Sequence, residues 1–521
     1  MLEKLIPKKI KGFRDINPSL NKLRWDVLGK AKEVYENYGY KHWDTPVLEY
    51  AECLGKYLPD KEAVDEGVYS FRNPEEEPVY KNDGNELRDE KDEVIMDKHF
   101  VSMRYDLTAP LARVYSEEVF LQSLRGQLNS KNAPLFRRYQ FGPVYRFEAK
   151  LQPGRFREFW QLDFDTVGSP DVSVDAESCL VLSEALERIG LERGTYRVKI
   201  NNRKILKGLL IGLGITNVDQ ENNILRILDK LDKIGLTGIF DELGKGRKDE
   251  SGAFIPGLGL DHDFITELMS KFEILSGIEY REQSLAKLEK IGINNEIFLA
   301  GMQELNKIDS LLAALGYKED RVVFDFSLVR GMEYYTGPVY EVESLLKYTD
   351  AKGVERGIGT ICAGGRYDSL VERLIGIQVP AAGASIGVDR LCELLVLAGR
   401  QKEFKDQTVF ITVFDDELMP EYQKIAMELR TAGLKSEVYY GSQRSLKKQL
   451  GYADKNGYPV ALLLGSDEHA RGEVTVRDLR LGEQMSGDIT DKEEWKKKAQ
   501  FPVRREELLA TVKKMLEQTQ I

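Results

Sequence analysis

Between residues 20 and 38 the chain reads LNKLRWDVLGKAKEVYENY, with Leu20, Leu23, Val27, Leu28, Ala31, Val34, Tyr35 and Tyr38 near the three- and four-residue spacing of one helix face. Gly39 supplies the stop, so an amphipathic helix is predicted here. Thr45-Pro46-Val47 then reads as extended backbone, because proline disfavours helix in the residue before it. From Pro134 to Thr166 the period changes to two, and two strand-like runs flank EAKLQPG, which predicts a long β-hairpin. Residues 171 to 189 read as helix and YRVKINN as a strand. Residues 203 to 320 carry helical patterns such as ILRILDKLDKIG and DFITELMSKFEIL with few strand signals. Strand patterns resume at RVVFDFSLVRGMEYYTGPVYEVE and GIGTICAGGRYDSL and give way to a helix beginning near Val388.

After GRQKEFKDQ the texture is that of strands alternating with helices: TVFITVF, a helix over 421–432, LKSEVYY, a helix near 445–455, YPVALLLG and EVTVRDL. That order predicts a separate α/β domain of about 115 residues with right-handed crossovers. The charges crowded between Asn73 and Lys98 predict a solvated loop or hairpin tip, to which no chemistry is assigned.

Composition narrows the class. The 521 residues suffice for several domains and at least one large core, and 42% hydrophobic with 31% charged residues is the balance of an ordinary globular protein. Cys53, Cys179, Cys362 and Cys392 lie at least 30 residues apart, and none of the histidines at 42, 99, 262 and 469 pairs with a nearby Cys or His. No metal site of these ligands is expected, and a reducing cytoplasmic setting is. No run of about 18 apolar residues is free of charge, and the lysines of the first segment precede no apolar core, so neither membrane insertion nor targeting is expected. A net charge of -11 argues against a globally basic surface that coats nucleic acid, though not against a local basic patch.

Candidate chemistry sits on the strands. In FREFWQLDFDT, alternation sends Phe156, Trp160, Leu162 and Phe164 to one face and Arg157, Phe159, Gln161, Asp163 and Asp165 to the other. The second face mixes cation, amide, carboxylate and ring, which suits a small polar ligand; from this strand alone, a sheet with one solvated face explains it more simply. The facing strand ends in Arg146, whose planar fork suits phosphate. LVRGMEYYTGPVYE packs Arg330, Glu333, Tyr334 and Tyr335 between Gly331 and Gly337, either a site approached closely by a ligand or a bulged edge strand with surface tyrosines. In AAGASIGVDRL, Arg390 falls in the first turn of an apolar helix, where the dipole disfavours a cation, so it answers to something else. There is no Gly-rich loop ending in Gly-Lys-Ser/Thr and no GxGxxG after a strand, so a nucleotide would have to bind on an antiparallel sheet.

Taken together these segments resemble the class II aminoacyl-tRNA synthetases: the helix running to the Pro46 strand is similar to their motif 1, FRRYQFGPVYRFE with FREFWQLDFD to motif 2, and AAGASIGVDRL to motif 3. RYDLTAPLAR, RGMEYYTGPVYE and AGGRYDSL narrow the resemblance to the histidyl-tRNA synthetase family, over nearly the whole chain. The resemblance implies an α+β fold, an antiparallel sheet flanked by helices. Its catalytic core would come in two parts, 1–200 and 321–400, with a mainly helical insertion at 201–320 and an α/β anticodon-binding domain at 406–521. It implies a cytoplasmic homodimer without membrane contact that activates L-histidine with ATP and transfers it to tRNA(His), with Mg2+ arriving with ATP and no metal site of the protein's own. The helix over residues 23 to 38 would present its apolar stripe to the second copy, unless that stripe packs within its own chain.

By the same resemblance, Arg146 would hold the α-phosphate and the histidine carboxylate, and Phe159 and Arg390 would sandwich the adenine. Asp106, Thr108 and Gln161 would bind the α-amino group, with Leu107 also at the histidine site; Asp165 and Tyr335 would address the imidazole, and Tyr334 would line the pocket. Arg330 would reach the α-phosphate from the opposite side. The loop EAKLQPG lacks the arginine-bearing pattern common in the family, and the acidic stretch 73–98 is longer than the family leads one to expect. A non-catalytic relative, the regulatory subunit of ATP phosphoribosyltransferase, shares the core but normally lacks the C-terminal domain; synthetases for threonine, proline or glycine share that domain but not RGMEYYTG.

Overall fold

The structure, a computed structural model, describes residues 6–54, 67–79, 85–89, 91–123, 133–147, 151, 154–249, 252–277, 280–329, 335–350, 352–400, 407–480 and 499–517. The chain divides into two compact units, residues 1–401 and 402–521.

In the first unit, helix α1 (Pro18–Asn37) opens where the Asn17 side chain accepts from the Leu20 amide at 2.8 Å and Pro18 sets the first turn. It starts two residues ahead of the periodic run, because capping chemistry rather than hydrophobicity decides where a helix begins. Its apolar residues Leu23, Val27, Leu28, Ala31, Val34 and Tyr35 are buried, and the helix packs against α3 (Ser173–Ile189) and α11 (Val388–Leu397). The stripe is therefore covered by its own chain, which corrects the expectation that a second copy must cover it: α3 buries Cys179, Val181, Leu182, Ala185 and Leu186 and provides the complementary face.

Strand β1 (Lys41–His42) joins the main sheet, whereas β2 (Leu48–Tyr50), β3 (Ser70–Arg72) and β6 (Phe100–Met103) form a small sheet in the order β2-β6-β3. The acidic stretch is the expected solvated hairpin, closed by β4 (Glu77–Pro78) pairing with β5 (Met96–Asp97) and by a bridge between Arg88 and Val94. After helix α2 (Thr108–Ser123) comes the predicted long hairpin, β7 (Phe136–Tyr145) antiparallel to β8 (Glu158–Val167). β9 (Tyr196–Asn202) follows α3.

Six helices come next: α4 (Arg203–Gly212), α5 (Val218–Leu228), α6 (Leu231–Leu243), α7 (His262–Leu275), α8 (Arg281–Lys290) and α9 (Glu296–Ala314). A two-stranded ribbon, β10 (Gly246–Lys248) with β11 (Phe254–Pro256), interrupts them. The chain then returns through β12 (Val322–Phe324), β13 (Pro338–Ser344), the ribbon β14 (Lys347–Thr349) with β15 (Glu355–Gly357), β16 (Thr360–Arg366), the short helix α10 (Glu372–Ile375) and β17 (Ala381–Gly387), which runs into α11.

The main sheet has the order β1-β7-β8-β17-β16-β13-β9-β12. Its inner pairings are antiparallel, and only the two edge strands β1 and β12 pair in parallel. Leu162 and Phe164 of β8 are buried on the helix side, where Phe164 lies 4.9 Å, centroid to centroid, from Tyr35 of α1.

The second unit contains β18 (Val409–Ile411), α12 (Met419–Thr431), β19 (Ser436–Val438), α13 (Leu446–Lys455), β20 (Val460–Leu463), α14 (Ser466–Arg471), β21 (Glu473–Asp478), β22 (Gln500–Arg504) and α15 (Leu508–Glu517). The order β19-β18-β20-β21-β22 is parallel among the first three strands and antiparallel from β20 onward, so the parallel crossovers expected of an α/β domain hold only for its first half, although strands and helices alternate as far as β21. Sequence patterning passed over α14, whose six residues SDEHAR offer no apolar face, and β22, which carries Pro502.

One buried ion pair ties the main sheet to α3. Arg366, at the end of β16, donates to Asp175 Oδ2 at 2.6 and 3.0 Å and to the carbonyls of Ser169 and Asp171 at 3.0 and 3.1 Å. Burial pushes the Asp175 carboxyl up to about 7 even though Arg366 pulls it down. Replacing Arg366 with Ala leaves that carboxylate uncompensated and is expected to destabilise the protein by about 3–5 kcal/mol at pH 8. In urea titrations the loss should shrink at pH 5, where Asp175 takes up a proton.

Candidate active site

Strand register lines up polar groups in rows across the sheet, on the face opposite Phe164. One row runs Arg138 (β7), Asp165 (β8), Gly383 (β17) and Gly365 (β16); the next runs Gln140, Asp163, Ser385 and Ala363; a third runs Gly142, Gln161 and Gly387. Because side chains alternate along each strand, these residues share one face by construction. Part of its floor is bare backbone, since a Cβ on Gly383 would stand 2.2 Å from Asp165 Oδ1 and one on Gly365 would stand 2.7 Å from the Tyr335 ring. These glycines leave the volume that Asp165 and Tyr335 occupy.

Asp165 is 2% exposed; Arg138 Nη2 lies 3.0 Å from one of its oxygens, and the Tyr367 hydroxyl donates to the other. Burial pushes its pKa up, Arg138 and Tyr367 pull it back, and the charge of Asp106 adds to the rise. Asp163 is 1% exposed, and among the described residues no donor reaches either of its oxygens in hydrogen-bonding geometry. Burial first, and the charge of Asp165 second, push its pKa up to about 8. Gln161 donates through Nε2 to Ser385 Oγ at 2.7 Å, while its buried Oε1 has no partner among the described residues. The surplus on this face is of acceptors, which calls for a ligand rich in N–H donors.

Asp106 sits just before α2 and accepts from the amides of Thr108 and Ala109 at 3.1 and 2.9 Å, so it caps that helix. Burial raises its pKa, while those amides and Arg146 lower it. The carbonyl of the intervening Leu107 accepts from Arg138 Nη2 at 2.7 Å, which draws the start of α2 to the Asp165 row. Tyr335 lies over Gly365, and its carbonyl accepts from Arg203 Nη1 at 2.9 Å. Burial and the charges of Asp165, Asp106 and Asp163 all raise its hydroxyl pKa.

Arg146 lies one residue beyond β7; its Nε donates to the Tyr105 carbonyl at 2.8 Å, and its guanidinium carbon stands 5.3 Å from the centre of the Phe159 ring. Arg390, in the first turn of α11, donates to the Thr360 carbonyl at 2.6 Å. Sequence reasoning passed over its neighbour Asp389. That carboxylate, 3% exposed, accepts from Arg14, from Arg24 at 2.9 Å and from the Trp160 amide at 2.5 Å. It pins the first turn of α11 to β8 beside Phe159 and offsets a cation at a helix start. The DR pair in AAGASIGVDRL was the available signal.

The structure thus brings Asp106, Leu107, Thr108, Arg146, Phe159, Gln161, Asp165, Tyr335 and Arg390 around one end of the central strands, while Arg330 and Tyr334 lie outside the described residues. Asp165 is paired with the buried Arg138, which leaves it on the site face. Lys, His and Cys are absent from this group, so it is equipped to bind and neutralise charge rather than to act as a nucleophile.

A sequence model of the histidyl-tRNA synthetase family matches residues 94–391, and one of an anticodon binding domain matches residues 407–515. The histidine–tRNA ligase of Ruegeria pomeroyi is 42% identical over 507 residues, covering 97% of this chain and 96% of its own. That of Paracoccus denitrificans is 41% identical over 507 residues, covering 97% of each. Among solved structures, a histidyl-tRNA synthetase from Nostoc sp. PCC 7120 superposes with a TM-score of 0.67 at 27% identity, over 98% of this chain and 100% of that one. A Bacillus halodurans structure described as an ATP phosphoribosyltransferase regulatory subunit/histidyl-tRNA synthetase superposes at 0.61 over 89% and 99% of the two chains, and at 22% identity it speaks to the fold alone. With its class II sheet, its buried acceptor rows and full-length relatives at this identity, the chain belongs to the histidyl-tRNA synthetase family.

Proposed function

We propose that this protein is a histidine–tRNA ligase that joins L-histidine to the α-phosphate of ATP and passes the histidyl group to tRNA(His). The observation that carries this reading is the single sheet face on which acceptors for an amino acid, Gln161 and Asp165, lie beside the Arg146–Phe159 pair suited to a nucleotide. In the first step a carboxylate oxygen of histidine attacks the α-phosphorus in line, and the bond to pyrophosphate breaks as the new bond forms. No proton moves, so no general base is needed; the demand is for positive charge on the phosphate oxygens. Arg146 supplies it from β7 and also holds the carboxylate, while Arg330 supplies it from the opposite side. Phe159 and Arg390 take the adenine between them, and Mg2+ enters with ATP as part of that substrate. Asp106, Thr108 and Gln161 receive the α-amino group, with Leu107 between the first two at the histidine site. Asp165 and Tyr335 meet the imidazole, with Tyr334 lining the pocket. A carboxylate facing one ring nitrogen selects a tautomer and disfavours apolar analogues, which would leave it unpaired.

Residues 201–320 are read as an insertion between the two parts of the catalytic core, and 406–521 as the anticodon-binding domain. In that domain Lys435, Lys447 and Lys448 are exposed and available to phosphates, whereas the exposed Arg430 donates to the Ser436 carbonyl at 2.9 Å and Arg444 is held by Asp416 at 2.6 Å. The domain itself speaks against the regulatory-subunit reading. No helix among the described residues is long and apolar enough to cross a membrane, and a cytoplasmic place is proposed. The functional unit is a homodimer. Since α1 is covered within its own chain, support for this lies in the exposed apolar residues Leu48, Phe71 and Met96 on and beside the small sheet, at 46, 44 and 47% exposure.

Pyrophosphate exchange into ATP, run with each of the twenty amino acids, should respond to histidine alone. Arg330→Ala should slow it by about two to three powers of ten while histidine affinity changes much less. Exchange with another amino acid would overturn the function, and a parental rate would remove Arg330 from catalysis.

Sedimentation equilibrium at micromolar concentration should report twice 59.4 kDa. A single species of monomer mass would defeat the dimer.

Removing residues 406–521 should leave histidine-dependent exchange measurable, because the proposed ATP and histidine contacts all precede them. Charging of tRNA should fall sharply, with weaker and less salt-sensitive binding. Undiminished charging would show that the domain does not serve tRNA.

A further inference from the structure

Asp163 has no part in the mechanism above, yet it stands in the middle of the site, flanked across the ladder by Gln140 and Ser385. The donors near it do not satisfy it. Ser385 Oγ accepts from Gln161 Nε2 at 2.7 Å, and its own hydroxyl, close enough to lower the Asp163 pKa, does not reach the carboxylate in hydrogen-bonding geometry; Gln140 Nε2 goes to Thr45 Oγ1 at 3.1 Å. Arg138 gives its Nη2 to Asp165 and the Leu107 carbonyl, and Arg104 serves the carbonyls of Thr45 and Pro143 at 2.7 and 2.9 Å. A buried carboxylate without donors is a net cost to the fold that an amide, a hydroxyl or a glycine at the same place would avoid. Its position is accounted for once a ligand supplies the donors. Beside it, Gln161 Oε1 is equally bare, so among the described residues both oxygens of a carboxylate and one amide oxygen on one buried face lack partners. A primary ammonium brings three N–H donors and the complementary charge.

We propose that Asp163 is a specificity-determining residue that binds the α-ammonium of the amino-acid substrate together with Gln161, selecting an amino acid over a carboxylic acid of the same shape. The proposal rests on the histidine-activating function and adds to it the group that reads the substrate's charge. Without ligand, burial and Asp165 push the Asp163 pKa up to about 8, with Asp106 raising it and Arg138 and Ser385 lowering it; Tyr35, Arg104 and Tyr335 also sense its charge. Its unfolded pKa is about 3.9, so the folded protein binds the extra proton, and stability of the empty enzyme falls as pH rises from about 4 to 8. Asp163→Asn removes that fall. A carboxylate retained for the fold would give the opposite sign on substitution.

The test uses the full-length protein and its Asp163→Asn variant, with two competitive inhibitors of histidine-dependent exchange. Histidinol keeps the ammonium and lacks the carboxylate; imidazolepropionate keeps the carboxylate and lacks the ammonium. The variant should raise KM for histidine and the inhibition constant of histidinol by about 10- to 100-fold, the scale of one charged hydrogen bond. Imidazolepropionate and ATP should shift by less than about twofold, and without ligand the variant should melt at pH 8 no lower than the parent. Equal weakening of both inhibitors, an unchanged histidinol constant, or a variant that melts lower or does not fold overturns the role of Asp163. A parent that does not exchange with histidine overturns the function instead, so the two failures are distinguishable.

Discussion

Arg138, 1% exposed in the middle of β7, divides one guanidinium between Asp165 on the neighbouring strand, the Leu107 carbonyl ahead of α2 and the Gln140 amide oxygen on its own strand. Burying an arginine this deeply is costly unless its charge is paired, and here Asp165 pairs the charge while both Nη atoms find acceptors that belong to the site. The arrangement holds Asp165 ionisable on a dry face and draws the Asp106–Thr108 corner to the same row. Without it, the carboxylates of β8 would stand beside one another in a low-dielectric face with little to offset their repulsion.

The arginines of the protein divide into two kinds by this measure. Arg24, Arg104, Arg138 and Arg366 are buried and committed to carbonyls or carboxylates, so they shape the frame. Arg146 donates to the Tyr105 carbonyl and Arg390 to the Thr360 carbonyl, which holds two planar charged forks at the edge of the sheet face. Asp389 connects the two sets: by holding Arg14, Arg24 and the Trp160 amide, it fixes where Arg390 begins relative to Phe159.

Electrostatics and shape use the same device on this face, the omission of side chains. Gly383 and Gly365 allow Asp165 and Tyr335 to lie against bare backbone, and the burial that results is what raises their pKa values. Buried acceptors that lack partners, as at Asp163 and Gln161, then store the demand for a cationic, donor-rich ligand in the empty protein. A site of this kind trades folded stability for preorganisation.

Much of this was legible in the chain itself. The period-two run of FREFWQLDFDT placed Gln161, Asp163 and Asp165 on one face, and the hairpin it forms with the Arg146 strand followed from that run and a Gly/Pro loop. Such features depend on neighbours along the chain, and alternation alone decides them. What covers the α1 stripe, how the second sheet continues after β20 and which carboxylate has a partner could not be read there. Tyr35 finds Phe164, Asp165 finds Arg138 and Tyr367, and Asp163 finds no donor among the described residues, through pairings 129, 27 and 202 positions apart in the two contacts and the hydroxyl bond that decide them. Local periodicity sets which way a side chain points, whereas the strand order and helix packing of the folded chain determine what it meets, and that meeting sets both its burial and its charge.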